Sequence, residues 1–432
     1  MIKLLFLFLP LALLAQSYLV SSIPVPKAYV QNLDPEPCDD ACLQAYLEDE
    51  MIFSFLAHSD HKIEDKELND QRLIFISIFN LGASAHSNDL RIALLLPKKV
   101  IGRYAVSTTN AVFAYMLTRN RNFSIKTFPI ASEDKEVVEE AMAAIEKEGF
   151  YYVIAPMTQR GAQALVELRP EINVFIPTIN HNDVNTSSPY LYFGGIDYHA
   201  QNELLLQESV EPLVVYYDKS RLGKKLTIDV QETYNKPPEL NVSDDEGLFS
   251  FMSTPEVQEA PEPFVKRDAY AYAIKKRMTN LRAQLQENEK IQDASFFVNT
   301  PVVKTGMILS QLTLYDVNVT NVLSTQINYD PLILSMTQFR DREKMVIANS
   351  ISDNNKVMIE TNALLSNDIV YDWINYATTI GTDYFYNKIT RAEREYTIPV
   401  TNNQIQYPIV LVQPSYSRFI PYVRPLRKEI QE

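Results

Sequence analysis

Arg91-Ile-Ala-Leu-Leu-Leu-Pro97 opens a series of short apolar runs whose reading decides the fold. The series continues at residues 124–128, 151–155, 174–176, 190–193 and 213–217. Most of these runs are apolar without alternation, as strands buried on both faces must be. Segments with helical spacing lie between them. One is 135–147, where Val137, Val138, Ala141, Met142 and Ile145 form a stripe. Strand then helix with short connections is the rhythm of a parallel sheet covered on both faces, and right-handed crossovers build it into a three-layer unit. The fold class expected is therefore α/β.

Toward the C-terminus a second unit of the same kind starts at 213–217, followed by Ser220-Arg-Leu-Gly-Lys-Lys225 at the opening of a helix. Residues 235–267 interrupt it with five prolines and a concentration of acidic side chains, and read as an exposed insertion. A long helix is expected over 268–290, then weaker alternation through 295–298, 302–314, 319–323 and 344–348, a helix around 369–389 and a β-rich end over 396–412. Toward the N-terminus, 39–56 and 65–79 have helical periodicity and form a small helical preface to the main body, which must lend it support because short helices bury too little alone. Residues 16–37 read as an extended leader. Residues 1–15, with Lys3, an apolar core and Ala15, read as a secretory signal peptide, too short to span a bilayer of about 30 Å.

The chain has 40 basic and 54 acidic residues, a formal net charge of −14. That balance repels nucleic acid and anionic bilayers, so neither nucleic-acid binding nor membrane insertion is expected. In an oxidising compartment Cys38 and Cys42, the two cysteines, are expected to pair as a local staple, with a redox-active pair or intermolecular pairing as alternatives. Asn-x-Ser/Thr acceptor patterns occur at Asn122, Asn185, Asn241 and Asn318, and the last three have an acidic residue two positions earlier. This extended pattern resembles the acceptor used by periplasmic oligosaccharyltransferases, which makes Asn185, Asn241 and Asn318 candidate glycosylation sites.

Several further segments carry a resemblance. Arg91 to Pro97 looks like the opening strand of the type 1 periplasmic binding protein family, and Tyr152-Val-Ile-Ala-Pro156 like its third strand. Phe193-Gly-Gly-Ile-Asp-Tyr198 resembles the segment where that chain changes lobe. Val214-Val-Tyr-Tyr-Asp218 and Leu222-Gly-Lys224 resemble the start of its second lobe, and Leu323-Ser-Thr-Gln-Ile-Asn328 and Ile380-Gly-Thr-Asp-Tyr384 its late strand and helix. Within the family the chain is similar to the branch of the penicillin-binding protein activator lipoproteins, although their lipobox and helical-repeat domain are not read in this sequence. The resemblance implies two hinged lobes, each a parallel sheet flanked by helices, with three crossings between them. The organisation expected is signal peptide 1–15, leader and preface 16–88, lobe one 89–212, lobe two 213–343 with its insertion, and returning segments 344–432.

In such a fold a ligand sits where strand carboxyl ends converge. That rule selects Lys98, Arg103, Tyr104, Met157, Thr158 and Asn180. Lys98 and Arg103 near a helix N-terminus suit an anion, against the plainer reading of two cations on a solvated loop. Amino-acid-binding members of the family carry a Gly- and Ser-rich loop after the first strand, where this chain has Lys98-Lys-Val-Ile-Gly-Arg103. His58, His61, His86, His181 and His199 fall short of a metal-ligand pattern, and Walker, nucleophile-elbow and dinucleotide motifs are not found. Trp373 reads as a core residue. The function expected is a non-catalytic periplasmic protein, without cofactor, that recognises a partner protein in a cell-envelope assembly such as peptidoglycan synthase regulation or an envelope machine. The alternative is a receptor for a small, anionic solute.

Overall fold

The computed structural model describes residues 30, 36, 38–59, 63–78, 90–119, 121–236, 266–352 and 354–424. The expected signal peptide, nearly all of the leader, the insertion from 237 to 265 with Asn241, and His61 and His86 lie outside the described residues. In chain order the strands are β1 (Leu90–Leu96), β2 (Phe123–Pro129), β3 (Tyr152–Ile154), β4 (Asn173–Ile176), β5 (Leu191–Phe193), β6 (Leu213–Asp218), β7 (Ala269–Ile274), β8 (Ala294–Asn299), β9 (Val319–Ser324), β10 (Met345–Asn349), β11 (Val400–Thr401), β12 (Gln404–Ile405), β13 (Val410–Pro414) and β14 (Phe419–Pro421). They form two seven-stranded sheets, ordered β11-β12-β5-β4-β3-β1-β2 and β14-β13-β10-β9-β8-β6-β7. The first belongs to a compact unit that runs to Ile196 and resumes at Ser352–Gln406; the second to a unit of Asp197–Ile351 continued from Tyr407. The chain thus passes between units at three points.

In the first unit β1 to β5 are all parallel, and β12 joins β5 in the same sense. One sheet face is covered by the helices Lys135–Lys147 and Gln159–Leu168, with Val138, Met142, Ile145 and Leu165 buried against Ala93, Val153 and Val174. The other face is covered by Tyr104–Leu117 and by the late helix Trp373–Thr390. Gly381 lets that late helix approach: a Cβ there would stand 2.0 Å from the Phe175 ring. One turn on, Phe385 meets Phe175 edge-on at 6.1 Å. The same helix buries Asp383, whose carboxylate accepts from Tyr115 Oη (2.8 Å), Arg394 Nε (3.0 Å) and the Glu395 N–H (2.8 Å).

In the second unit β6 to β10 are parallel and β13 and β14 close the edge antiparallel. Alternate residues of β8 serve the two layers, Phe296 and Val298 facing one apolar cluster and Phe297 the other. The helical preface, Asp40–Glu48, Ile52–His58 and Lys66–Ile78, has its own small core of Leu43, Phe55, Leu56, Ile63 and Leu68. Cys38 and Cys42 are disulfide-bonded at its start.

Some local expectations need correction. The long helix over 268–290 is instead β7 followed by the four-residue helix Arg282–Leu285. Ala269-Tyr-Ala-Tyr-Ala-Ile274 runs in register with all of β6, and Tyr272 stacks on Tyr216 at 5.5 Å, so sheet pairing overrides the helical propensity of alanine. The helix over 39–56 breaks at Glu50, whose φ is 57°. The loop 97–103 holds the short helix Lys98–Ile101, ended by Gly102 at φ 57°. Among the described residues no helix is long and apolar enough to cross a membrane.

Candidate functional site

The register of the first sheet aligns Leu94, Ile154 and Phe175, so the carboxyl ends of β1, β3 and β4 lie side by side. All six candidate ligand residues sit just beyond this line. The structure divides them into two sets. Lys98 and Arg103 are exposed, and the Arg103 guanidinium lies 5.2 Å from the centroid of the half-buried Tyr104 ring. Within electrostatic reach of Arg103, Asp372 caps the helix Trp373–Thr390 by accepting from the Ile374 and Asn375 N–H groups at 3.0 and 3.2 Å. Burial pushes the Asp372 carboxyl up, against the opposing pull of those two N–H groups and of Arg103.

Met157, Thr158 and Asn180 are committed to the interior or to their own loops. Met157 is 1% exposed and belongs to the core. Thr158 starts the helix Gln159–Leu168, whose first N–H groups would be an anion-receptive site if left open. They are filled by Glu133, a side chain from the loop before the preceding helix and only 3% exposed. Its carboxylate accepts from the Thr158 N–H (2.7 Å), the Gly161 N–H (3.2 Å) and the Thr158 hydroxyl. Gly161 is required, since a Cβ there would come within 2.8 Å of the Glu133 carboxyl carbon. Next to it, the Ser132 hydroxyl and then the Arg160 charge hold the Asp134 carboxyl below its ordinary value. Asn180 is 5% exposed. It caps a 3-10 turn over His181–Asp183, accepting from the Asn182 N–H (2.9 Å) while its amide donates to the Gly195 carbonyl (3.2 Å).

Sequence reasoning missed Glu133. Ser132-Glu-Asp134 has the composition of a helix start, and Asp134 does occupy the N-cap position, so the charge before it gave no separate signal.

The equivalent strand ends of the second unit are polar but uncharged inside. Gln201 donates to Ser350 Oγ (2.8 Å) and accepts from the Gln326 N–H (2.9 Å), while Asn328 donates to Ser324 Oγ (2.7 Å) and to the Thr300 carbonyl (3.2 Å). All are buried. Outside them the β6 end is different: Ser220 caps the helix Arg221–Tyr234 and donates to Asp218 (2.6 Å), amid exposed basic residues.

Groups of three or more metal-capable side chains are absent among the described residues. His58 and His181 contact the carbonyls of Ser54 (3.1 Å) and Thr186 (3.2 Å), as structural histidines do. His199 lies between Asp229 (2.7 Å) and Glu203 (3.3 Å) on the surface. The strongly shifted groups Tyr115, Tyr216 and Tyr396 are tyrosines pushed up by burial, which keeps them neutral. Trp373 is half-buried, 5.8 Å from Tyr376. Of the acceptor asparagines, Asn122, Asn185 and Asn318 are exposed, and Asn318 donates its amide to Asp293.

No family model matches the chain, and no curated protein matches it. Solved structures do. A putative branched-chain amino acid ABC transporter protein from Rhodospirillum rubrum superposes with TM-score 0.56 at 9% identity, covering 77% of this chain and 100% of its own. The branched-chain amino acid substrate-binding protein LivJ of Streptococcus pneumoniae, in complex with isoleucine, gives 0.50 at 8% identity over 77% and 97%. LpoA of Haemophilus influenzae gives 0.49 at 12% identity over 89% of this chain, which spans 65% of the LpoA chain. Identities this low speak to architecture only. The architecture is that of the type 1 periplasmic binding proteins, two α/β units threaded by a chain that changes unit three times.

Proposed function

We propose that this chain is a non-catalytic periplasmic protein that uses its binding-protein-like fold to recognise a partner protein in a cell-envelope assembly, such as one that regulates peptidoglycan synthesis or scaffolds an envelope machine. The observation that carries the reading is the Glu133 carboxylate on the N-terminus of Gln159–Leu168. An anionic solute arriving at that helix would have to displace a buried carboxylate from its donors, and uncompensated burial of a charge costs several kcal/mol. Met157 and Asn180 are likewise used up by packing and loop hydrogen bonds. The neighbours with TM-scores of 0.50 to 0.56 include binding proteins, which supports recognition rather than turnover.

Photo-crosslinking from surface positions in living cells, followed by mass spectrometry, tests the reading. It is expected to capture one envelope protein reproducibly. A melting shift with amino acids or small anions, abolished by Lys98→Ala, would replace it with the second reading, a solute receptor. That reading is favoured by one observation: Lys98 and Arg103 are both exposed beyond the end of β1, with the Arg103 guanidinium near the Tyr104 ring. Saturation at about 100 times Kd would add about 2.7 kcal/mol of stability, well within reach of a melting curve.

A further inference from the structure

β7 is an edge strand of the second sheet, and among the described residues no strand pairs with its outer side. The Leu213 N–H donates to the Asp268 carbonyl at 3.0 Å. In a parallel ladder this aims the peptide groups of even-numbered β7 residues at β6 and those of Ala269, Ala271 and Ala273 outward. Edge strands are ordinarily blunted by charge or proline. β2, at the edge of the first sheet, follows that rule with Lys126, paired to Glu148, and with Pro129. β7 has neither, and reads Ala-Tyr-Ala-Tyr-Ala-Ile.

A second observation sits at its carboxyl end. Register between Asp218 and Ile274 brings the segment after β6 beside the segment after β7. Lys219, Arg221 and Lys224 thereby join Lys275, Lys276 and Arg277, all exposed. None of these six forms an ion pair among the described residues, and the neighbouring Asp218 is engaged by Ser220. On a chain of net charge −14 this is a strong local reversal of sign.

We propose that the outer edge of β7, together with this basic cluster, docks an extended acidic segment of a partner protein by strand addition. Main-chain groups of the edge supply affinity and the cations select carboxylates. A bilayer or nucleic acid fits less well, because the acidic remainder of the surface repels a long polyanion while screening leaves a short segment governed by the local charges. The inference rests on the protein-partner reading above and names the chemistry of the partner.

The test uses the full chain and a short labelled peptide of alternating glutamate and threonine, read by fluorescence anisotropy. Binding is expected at low salt, weakened about tenfold by K275E/K276E/R277E, since exposed pairs contribute a few tenths of a kcal/mol each. Ala271→Pro is expected to abolish it, because the N–H it removes points away from β6 and proline is tolerated on an edge. If Ala271→Pro melts early, the charge-reversal variant on exposed residues still decides. Several results would overturn the proposal: unchanged binding in either variant; anionic vesicles captured through the same residues; a self-associated dimer lost in Ala271→Pro, which assigns the edge to a second copy; or binding seen only after neutralising the acidic residues of 239–262, which assigns it to the chain's own segment. A crosslinked envelope partner retained by both variants would remove this inference and leave the function intact, whereas failure to find any partner would remove both.

Discussion

The helix that follows β3 and the helix that follows β6 each begin at the carboxyl end of an interior strand of their own sheet, though at different places in the strand order, and they meet solvent differently. The first, Gln159–Leu168, has its N-terminus filled by a remote buried carboxylate, Glu133. The second, Arg221–Tyr234, is capped locally by Ser220 and flanked by the exposed cations Lys219, Arg221 and Lys224, which form no ion pair among the described residues. One architecture therefore carries a strand end neutralised from within and another that advertises charge. The difference teaches that the fold fixes where a site can be, while a few side chains decide whether it is open.

The largest test of this contrast concerns how firmly the first unit holds its buried carboxylates. Asp383→Ala leaves Arg394 and the Tyr115 hydroxyl without their shared partner and is expected to cost about 3–5 kcal/mol in urea unfolding, as broken buried pairs do. A smaller loss, under about 1 kcal/mol, would mean water replaces the carboxylate and the interior is less committed than the geometry implies.

Next in size, Glu133→Ala should cost about 1–3 kcal/mol by stripping the Thr158 and Gly161 N–H groups of their acceptor. It should also create sulfate-dependent stabilisation absent from the wild type, measurable as a melting shift. Stability lost without any gain in anion response would break the claim that Glu133 occupies an anion site. On the other side of the comparison, replacing Lys219, Arg221 and Lys224 with glutamine should change stability by no more than about 0.5 kcal/mol, because exposed charges contribute little. A larger loss would show that the cluster is structural.

The smallest effect belongs to His199. Burial lowers its affinity for a proton, but the Asp229 hydrogen bond and the charges of Asp229, Glu203 and Asp197 outweigh this and hold it above the ordinary imidazole value of 6.5. A group whose folded value is raised gives its full stabilisation below pH 6.5 and loses it as pH climbs through the folded value. Stability should therefore fall slightly as pH rises from 6.5 through the folded value, and His199→Asn should flatten that slope in urea titrations at several pH values.

Much of both sheets is legible because strands buried on both faces leave uninterrupted apolar runs, and 91–97 and 151–155 correspond to β1 and β3 of the first unit and 213–217 to β6 of the second. The stripe over 135–147 was equally direct, with Val138, Met142 and Ile145 buried. β7 was not legible as a strand. Its alternating alanines satisfy a helical window as readily as a strand, and only pairing with β6 decides between them. That one misreading hid the basic cluster, since Lys275 to Arg277 meet Lys219 to Lys224 only if 269–274 is extended. Of the candidate ligand residues, position at strand ends was readable, but the partners that consume Thr158 and Asn180 come from Glu133 and Gly195, distant in sequence and silent in any motif.

The return of Trp373–Thr390 to the first sheet has a consequence for biogenesis. Tyr115 and Asp383, joined by a hydrogen bond, are 268 positions apart in sequence. A nascent chain emerging in order would leave the Phe175 side of the first sheet covered only in part, by Tyr104–Leu117, until the late helix arrived. Contacts so distant along the polymer close slowly, and exposed sheet during the wait invites aggregation. The yield of folded protein should therefore depend on how well that face is shielded before the late helix arrives, rather than on the intrinsic speed of the α/β scaffold.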